Sequence, residues 1–288
     1  MNAERGTDRA LPGDGGAVDK ALTVLEALVG GAPHTSLAAV AARSGFAKPN
    51  THRILQTLLR RGYARTDGNG TYEPGPQILA LAGSILATLD YASHARPALR
   101  ALQARLPETI HFGVLSGGEL FYVEKFEGRG AYRMASAVGM QLPFHSTSIG
   151  KAVLAELAAD ERDAVLAGKT LPRRTPRTRS DRAALDAELA EIGRVGFAFD
   201  DEENEVGVRC VGAPVFGAMG HVVGGISVSM PAFQLSPEIA RRMAPDVIEA
   251  AADVSRSLGA PANVLARCLG RAEGLRAPAP RGPTEDGR

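Results

Sequence analysis

Cysteine is scarce in this chain of 288 residues: Cys210 and Cys268 are the only two, and they form no CxxC pair. A disulfide framework and a zinc knuckle are therefore excluded, and the reducing cytoplasm is the expected location. An excess of one charge is also lacking. With 33 Lys and Arg against 32 Asp and Glu the net charge is +1, which excludes a histone-like polycation and leaves local patches to be read segment by segment. Long hydrophobic runs are missing too. The longest uncharged stretch, residues 210–237, holds five Gly, three Pro and His221, and reads as sheet, because a lipid-exposed segment of that kind would leave backbone groups unpaired. No membrane span is expected. Residues 1–16 carry Glu4, Arg5, Asp8, Arg9 and Asp14 with no apolar run, so they lack the core of a signal peptide and read as a disordered lead, residues 1–17. The histidines His34, His52, His94, His111, His145 and His221 show no HExxH or HxH spacing, and neither a metal nor a cofactor is indicated.

What remains is globular composition, 44% hydrophobic and 23% charged, at a length that suggests two domains. Residues 18–74 read as helices closed by one hairpin. Leu22, Leu25, Leu28 and Val29 recur at helical spacing before Gly30 and Gly31, and form the expected core stripe of a first helix. Ser36 caps a short second helix with Leu37, Val40 and Ala41 on its apolar side, ended by Gly45. Pro49 suits the first turn of a third, with Ile54, Leu55, Leu58 and Leu59 facing inward. Residues 63–65 and 71–73 then flank DGNG, a hairpin turn, so a wing follows a helix-turn-helix.

Charge indicates what such a module does. Arg43, Lys48, Arg53, Arg60, Arg61 and Arg65 fall within residues 43–65, where there is no acid. A solvated basic helix is the plain reading of the charge alone. Its coincidence with helix, Gly turn, helix and wing favours double-stranded DNA as the partner. The expected DNA-facing set is Ser36, Arg43, Lys48, Pro49, Asn50, Thr51, His52, Arg53, Gln56 and Arg65.

Residues 75–92 read as a linker helix. Its Ile78, Leu79, Leu81, Ala82, Ile85, Leu86 and Leu89 exceed what one buried stripe needs, so it packs either on two sides of its own chain or against a second chain. In residues 93–258, the runs 111–115 and 120–126 flank a Gly-Gly turn. Residues 131–138 suggest another strand, residues 149–157 and 182–195 helices, residues 208–216 and 221–229 a second strand pair, and residues 237–258 a closing helix. Tight hairpins with helices elsewhere argue an antiparallel sheet in an α+β domain. Residues 259–288, rich in Ala, Pro, Gly and Arg, read as a mostly disordered tail. The basic loop of Arg173, Arg174, Arg177 and Arg179 reads as solvated surface.

Enzyme chemistry finds little support. Cys210 has no histidine near it in sequence, so a buried, inert thiol is favoured over a nucleophile. Asp200, Asp201, Glu202, Glu203 and Glu205 alternate faces on an extended strand, so most of that cluster is expected to be solvated. Gly224-Gly225 precedes strand rather than helix and makes no phosphate loop. Ser146, Thr147 and Ser148 precede a helix, where they either receive a carboxylate or simply cap it. Ser227 and Ser229 share one strand face, which suits either a ligand or solvent.

The segments VDKALTVLEAL, LAAVAARSGFAKPNTHRILQTLLRRGYA, YEPGPQILALAG, GMQLPFHSTSIGKAVLA, RTRSDRAALDAELAEIGRVGFAFDDEENEVGVRCVGAPVF and GHVVGGISVSMP resemble, in this order, the IclR family of bacterial transcriptional regulators. The likeness covers residues 18–258. It implies a winged helix-turn-helix, a linker helix that contributes to dimerisation, and a C-terminal effector domain similar to GAF folds. It further implies that Ser148, Ile149, Asp200, Cys210, Ser227 and Ser229 line an effector pocket with Met134 and Leu142 as apolar walls, and that the effector is a small organic acid or aromatic metabolite. The expected partners are operator DNA, the effector, and the chain itself as homodimer or dimer of dimers, since one winged helix reads only a few base pairs. An enzyme of small-molecule metabolism with an accessory helical domain, or an interaction module without effector, are the competing readings.

Overall fold

The computed structural model describes residues 16–87, 90–130 and 133–277, with side chains of residues 82–87 outside that description, in two compact units that divide between Leu89 and Asp90. Most of the lead, Leu89, Ala131, Tyr132, residues 278–288 and the side chains of Ala82, Ile85 and Leu86 thus lie outside the described residues. Among the described residues no helix is long and apolar enough to cross a membrane.

The first unit runs α1 (Ala17–Val29), β1 (Thr35–Ser36), α2 (Leu37–Ser44), α3 (Lys48–Arg60), β2 (Ala64–Thr66), β3 (Thr71–Pro74) and α4 (Pro76–Ala87). Ser36 caps α2, its hydroxyl accepting from the Ala39 amide at 3.3 Å, and left-handed Gly45 ends it. The strands pair antiparallel in the order β1-β3-β2, so the wing is a three-stranded sheet. Val24, Leu28, Val40, Ile54, Leu55, Leu58 and Tyr72 form one core. The α1 stripe differs from the expectation. Leu22 and Val29 are 53% and 49% exposed, while Val24 and Ala27 are buried. The reason is that Val24, Ala27 and Leu28 fall on the side of α1 that packs with α2 and α3, with Leu25 partly buried against the same core, while Val18, Leu22 and Val29 form a separate outward stripe.

The second unit starts with α5 (Tyr91–Arg105), a helix to which the sequence reading assigns no element beyond the linker's end at residue 92; Asp90 caps it and Ala95, Leu99 and Leu102 bury its inner face. There follow β4 (Thr109–Ser116), β5 (Glu119–Phe126), β6 (Gln141–Leu142), α6 (Ser148–Glu156), α7 (Ala159–Leu166), α8 (Arg182–Val195), β7 (Ala198–Asp201), β8 (Val208–Phe216), β9 (Val222–Pro231), α9 (Pro237–Ser257) and α10 (Ala262–Arg276). The six strands form one antiparallel sheet, β6-β5-β4-β9-β8-β7. One face carries Ile110, Phe112, Val211, Ala213, Ile226 and Val228, all fully buried, and α5 and α9 cover it. The fold class is α+β.

Two expectations are corrected here. Residues 133–138 form no strand: the carbonyls of Met134 and Ser136 accept from the Lys125 ammonium at 2.9 and 2.6 Å instead of from a neighbouring strand, and only β6 joins the sheet. Residues 262–276, expected within the disordered tail, form α10. Val264, Cys268 and Ala272 recur every four residues and pack on the Ala-rich α9, and small-on-small packing of this kind needs no large apolar residue.

Candidate functional site

In the first unit α3 presents Lys48, Pro49, His52 and Arg53 fully outward, with Asn50 and Gln56 half-buried beside them. Local bonds pre-arrange this face: Arg53 donates to Asn50 Oδ1 at 3.4 Å, and His52 and Gln56 lie 3.3 Å apart. Thr51 does not belong to it. Its side chain is buried and its hydroxyl donates to the Ala47 carbonyl at 3.2 Å, because position 51 falls on the stripe of Ile54, Leu55 and Leu58 that faces the core. Arg43 is also drawn inward, its Nη1 donating to the Ala27 carbonyl at 2.6 Å, so it ties α2 to the end of α1. Ser36 is occupied with its cap. Arg65 stands on the wing, paired with Glu73 at 2.7 Å, and Glu73 also meets His34 at 2.7 Å.

In the second unit the register aligns the sequence-selected residues. Directly opposed residues of antiparallel strands share a face. Asp200, Cys210, Ser229 and Thr109 form one cross-strand row; Ala198, Gly212, Ser227, His111 and Lys125 form the next; Pro214, Gly225, Gly113 and Tyr122 form a third. The N-terminal end of α6 lies over this face. A Cβ at Gly113 or Gly225 would stand 3.2 or 3.3 Å from Ile149, and at Gly212 2.9 Å from the Ser148 hydroxyl, so glycine is what admits the helix. A cavity of about 520 Å³ opens at the first row, bordered by Thr109, Met134, Ser229 and Phe233. Leu142 is buried on the same face but farther along, beside Leu120, where it borders a separate cavity of about 530 Å³ with Phe144, His145 and Lys169.

Hydrogen bonding divides the serines and threonines before α6. Thr147 caps the helix, accepting from the Gly150 amide at 3.0 Å, and donates to the Pro143 carbonyl at 2.6 Å; Ser146 meets Asn204 Oδ1 at 3.2 Å. Both are committed to structure, which leaves Ser148 facing the sheet. The acidic cluster is less solvated than its alternation suggested. Asp200 and Glu203 are buried, and Asp201 and Glu202 pair with Arg177 and Arg209, so the basic loop of residues 172–180 and the acidic turn neutralise each other.

The face holds mostly neutral groups. Burial, helped by the nearby Lys125 charge, pushes His111 down to about 4, so its ring is uncharged at neutral pH; it meets the Ser136 hydroxyl at 2.7 Å and Ser229 at 3.4 Å. Burial raises the Tyr122 phenol, and burial together with Asp200 pushes the Cys210 thiol well above the ordinary range, which leaves it protonated and a poor nucleophile. Burial lifts Asp200 to about 7, although the amides of Glu203 and Asn204 donate to its Oδ1 at 2.8 and 3.3 Å. The folded chain therefore holds a proton on Asp200 between about pH 4 and 7 that the unfolded chain has released, and stability falls as pH rises through that window. Asp200→Asn is expected to flatten this slope. Urea midpoints of wild type and variant from pH 5 to 8 should diverge, with wild type losing more toward pH 8; parallel curves would remove Asp200 as the source.

Thr109, His111, Tyr122, Lys125 and Lys151 escaped the sequence reading. The alternation of Thr109, His111 and Gly113 marked one face of β4, but only the register showed that this face is shared with Ser227 and Ser229. Among the described residues no group of three or more His, Cys, Asp or Glu could hold a metal ion.

A winged helix-turn-helix followed by an α+β domain with a buried polar face defines the class of one-chain transcriptional regulators. Residues 17–68 match the IclR helix-turn-helix domain and residues 83–256 the bacterial transcriptional regulator IclR C-terminal domain, and the chain belongs to the IclR family. It is 33% identical over 247 residues to the HTH-type transcriptional regulator XynR of Escherichia coli (strain K12), covering 85% of this chain and 98% of that one. A crystal structure of an IclR transcriptional regulator from Silicibacter sp. TM1040 is 32% identical, spans 86% of this chain and 97% of its own, and superposes with a TM-score of 0.75. An IclR homologue from Microbacterium hydrocarbonoxydans, solved with 4-hydroxybenzoate, shares the fold at 24% identity and a TM-score of 0.53, covering 84% of this chain and 98% of its own.

Proposed function

We propose that this regulator is a cytoplasmic homodimer, or dimer of dimers, that reads operator DNA through α3 and the wing and responds to a small organic acid or aromatic acid bound between α6 and the sheet. The observation that carries the effector reading is the cross-strand alignment of Cys210, Ser229 and Thr109 with Ser227, His111 and Lys125 beneath α6. Buried hydroxyls and neutral rings in that number are costly in a plain core and are natural where a polar ligand completes their hydrogen bonds. The protonated Cys210 thiol and neutral His111 support binding rather than catalysis. A bound carboxylate is compatible with a protonated Asp200 and with the Lys125 ammonium of the second row, which the Met134 and Ser136 carbonyls and Glu127 hold in place. The dimer reading is supported by the outward α1 stripe and by Leu79 and Leu81 of α4, which are 76% and 46% exposed. Light scattering that finds a monomer with tight operator binding would overturn it.

The decisive experiment recovers operator fragments retained by the purified protein, takes candidate acids from the chemistry encoded beside them, and titrates each by calorimetry. Ser227→Ala/Ser229→Ala is expected to weaken the effector by about tenfold or more, since each lost hydroxyl leaves a ligand group unpaired, while ligand-free operator binding survives. Unchanged effector affinity would remove these serines from the site. Regulation follows if the ligand prefers one arrangement of the dimer, because only differential affinity shifts populations.

A further inference from the structure

The end of the C-terminal unit carries a further, chemically different cavity. It measures about 410 Å³ and lies where the last turn of α8, the second turn of α9 and the outer face of α10 meet. Arg194, Arg241, Arg267 and Arg271 line it, with no acidic side chain among the lining residues. We infer that this cavity is an anion site for a small phosphate-bearing ligand, independent of the effector pocket beneath α6.

The arginines differ in how firmly they are held. Arg271 packs its stem against Gly196, whose positive φ of 86° closes α8 and whose missing side chain makes room for that stem. Its head donates to Glu156 at 2.6 Å and to the Gly193 carbonyl. Arg267 donates to the same Glu156 at 3.1 Å and lies 5.4 Å from the Phe216 ring centre. These two guanidinium groups are preorganised, and their ordering entropy is already spent in the free protein. Arg194 pairs with Glu191 on its own helix at 2.6 Å, and Arg241 makes no ion pair among the described residues. Two carboxylates, Glu156 and Glu191, thus face four guanidinium groups and leave a surplus of two positive charges at one cavity.

The floor is backbone. Gly270 and Gly274 stand one turn apart on α10, and a Cβ at either would meet nothing within 4 Å, so a ligand can lie against the helix between the arginine side chains. Four planar forks around an open floor suit a tetrahedral, multiply charged anion, whose several oxygens can engage separate guanidinium groups; a monocarboxylate offers one edge and one charge. Arg267, Gly270, Arg271 and Gly274 all lie beyond residue 256, where the match to the family's C-terminal domain ends, so the site depends on a helix outside that match.

Inorganic pyrophosphate titrated into the full chain by calorimetry at low ionic strength tests the assignment. Saturable binding is expected, weakened about tenfold by Arg241→Ala and lost in Arg194→Ala/Arg241→Ala. Both side chains are exposed, so the variants should melt as wild type does. Lys48→Ala/Arg53→Ala, which removes charge from α3, should leave pyrophosphate affinity unchanged. The proposal is overturned by absence of binding up to low millimolar pyrophosphate, by undiminished binding in the double arginine variant, by loss of binding in the α3 variant, or by a requirement for Arg241 seen only with a DNA duplex as ligand.

Discussion

Lys151→Met is expected to lower the unfolding free energy of the C-terminal unit by about 3 to 5 kcal/mol, the range for removing one partner from a buried ion pair. The Lys151 side chain is fully buried on α6, and its ammonium meets Glu188 Oε1 at 2.7 Å, the Phe199 carbonyl at 2.7 Å and Glu203 Oε1 at 2.5 Å. One cation therefore joins α6, α8, β7 and the acidic turn. Methionine fills the volume but leaves the buried Glu203 carboxylate without its cation and beside Glu188, which keeps Arg179 at 2.5 Å, and Glu203 Oε2 has no hydrogen-bond partner even with lysine present. The pH response gives the mechanism away. Burial already raises the Glu203 pKa despite Lys151, and removing the cation must raise it further. A raised carboxyl pKa in the folded state means stability that is lost as pH rises from the unfolded toward the folded value, so the variant should recover part of its loss as pH falls and suffer more as pH rises. Lys151→Met/Glu203→Gln should regain part of the loss. Urea denaturation at pH 5 and 7.5 decides the matter: a Lys151→Met variant with wild-type midpoints at both would show that the network contributes nothing. Because the Glu203 and Asn204 amides hold Asp200, the same variant should also disturb the row of Asp200, Cys210, Ser229 and Thr109.

Nothing local announced this network, which shows where sequence reading stops. Lysine on a helix between Gly150 and Ala152 looks like solvent-facing surface, and its acceptors lie 37 to 52 positions away. The recognition helix was legible because its signals are short-range: Pro49 at the start, an apolar stripe at helical spacing and a basic outward face all fall within one helix of 13 residues. Even there Thr51 was misplaced, since a hydroxyl at that position serves a core-facing bond as readily as a nucleic-acid contact. The hairpins β4–β5 and β8–β9 were legible from their glycine turns. Their register was not, and register is what aligns Thr109 with Ser229 and His111 with Ser227. Helix α10 was hidden by composition: its buried positions, Val264, Cys268 and Ala272, are small, while its leucines, Leu265, Leu269 and Leu275, are only partly buried. On α1 the opposite error arose. Leu28 is core and Leu25 packs against it as their spacing predicts, but Val24 and Ala27 fill the rest of the core while Leu22 and Val29 remain exposed.

Lys48→Ala/Arg53→Ala is expected to lower operator affinity by at least about a hundredfold near physiological salt, with a correspondingly flatter dependence on salt. Both side chains are exposed on the first two turns of α3, and neither makes an ion pair among the described residues, so their charge is available to phosphates. Each phosphate contact removed lowers the slope of log affinity against log salt by about one unit, and a dimer loses every contact twice. The double variant should thus lose about four units of slope while its ranking of operator sequences stays largely intact, since phosphate contacts position the helix and base contacts specify. Substitution of Gln56 or Asn50 should do the converse, relaxing sequence preference with little change in slope. Thr51→Val is the internal control: its hydroxyl bonds Ala47 and faces the core, so removing it should cost some stability of the first unit and leave the salt slope unaltered. A gel-shift series from 50 to 200 mM salt separates these outcomes. Wild-type affinity in the Lys48 and Arg53 variant, or a changed slope in Thr51→Val, would mean that the outward face of α3 is not the surface that meets DNA.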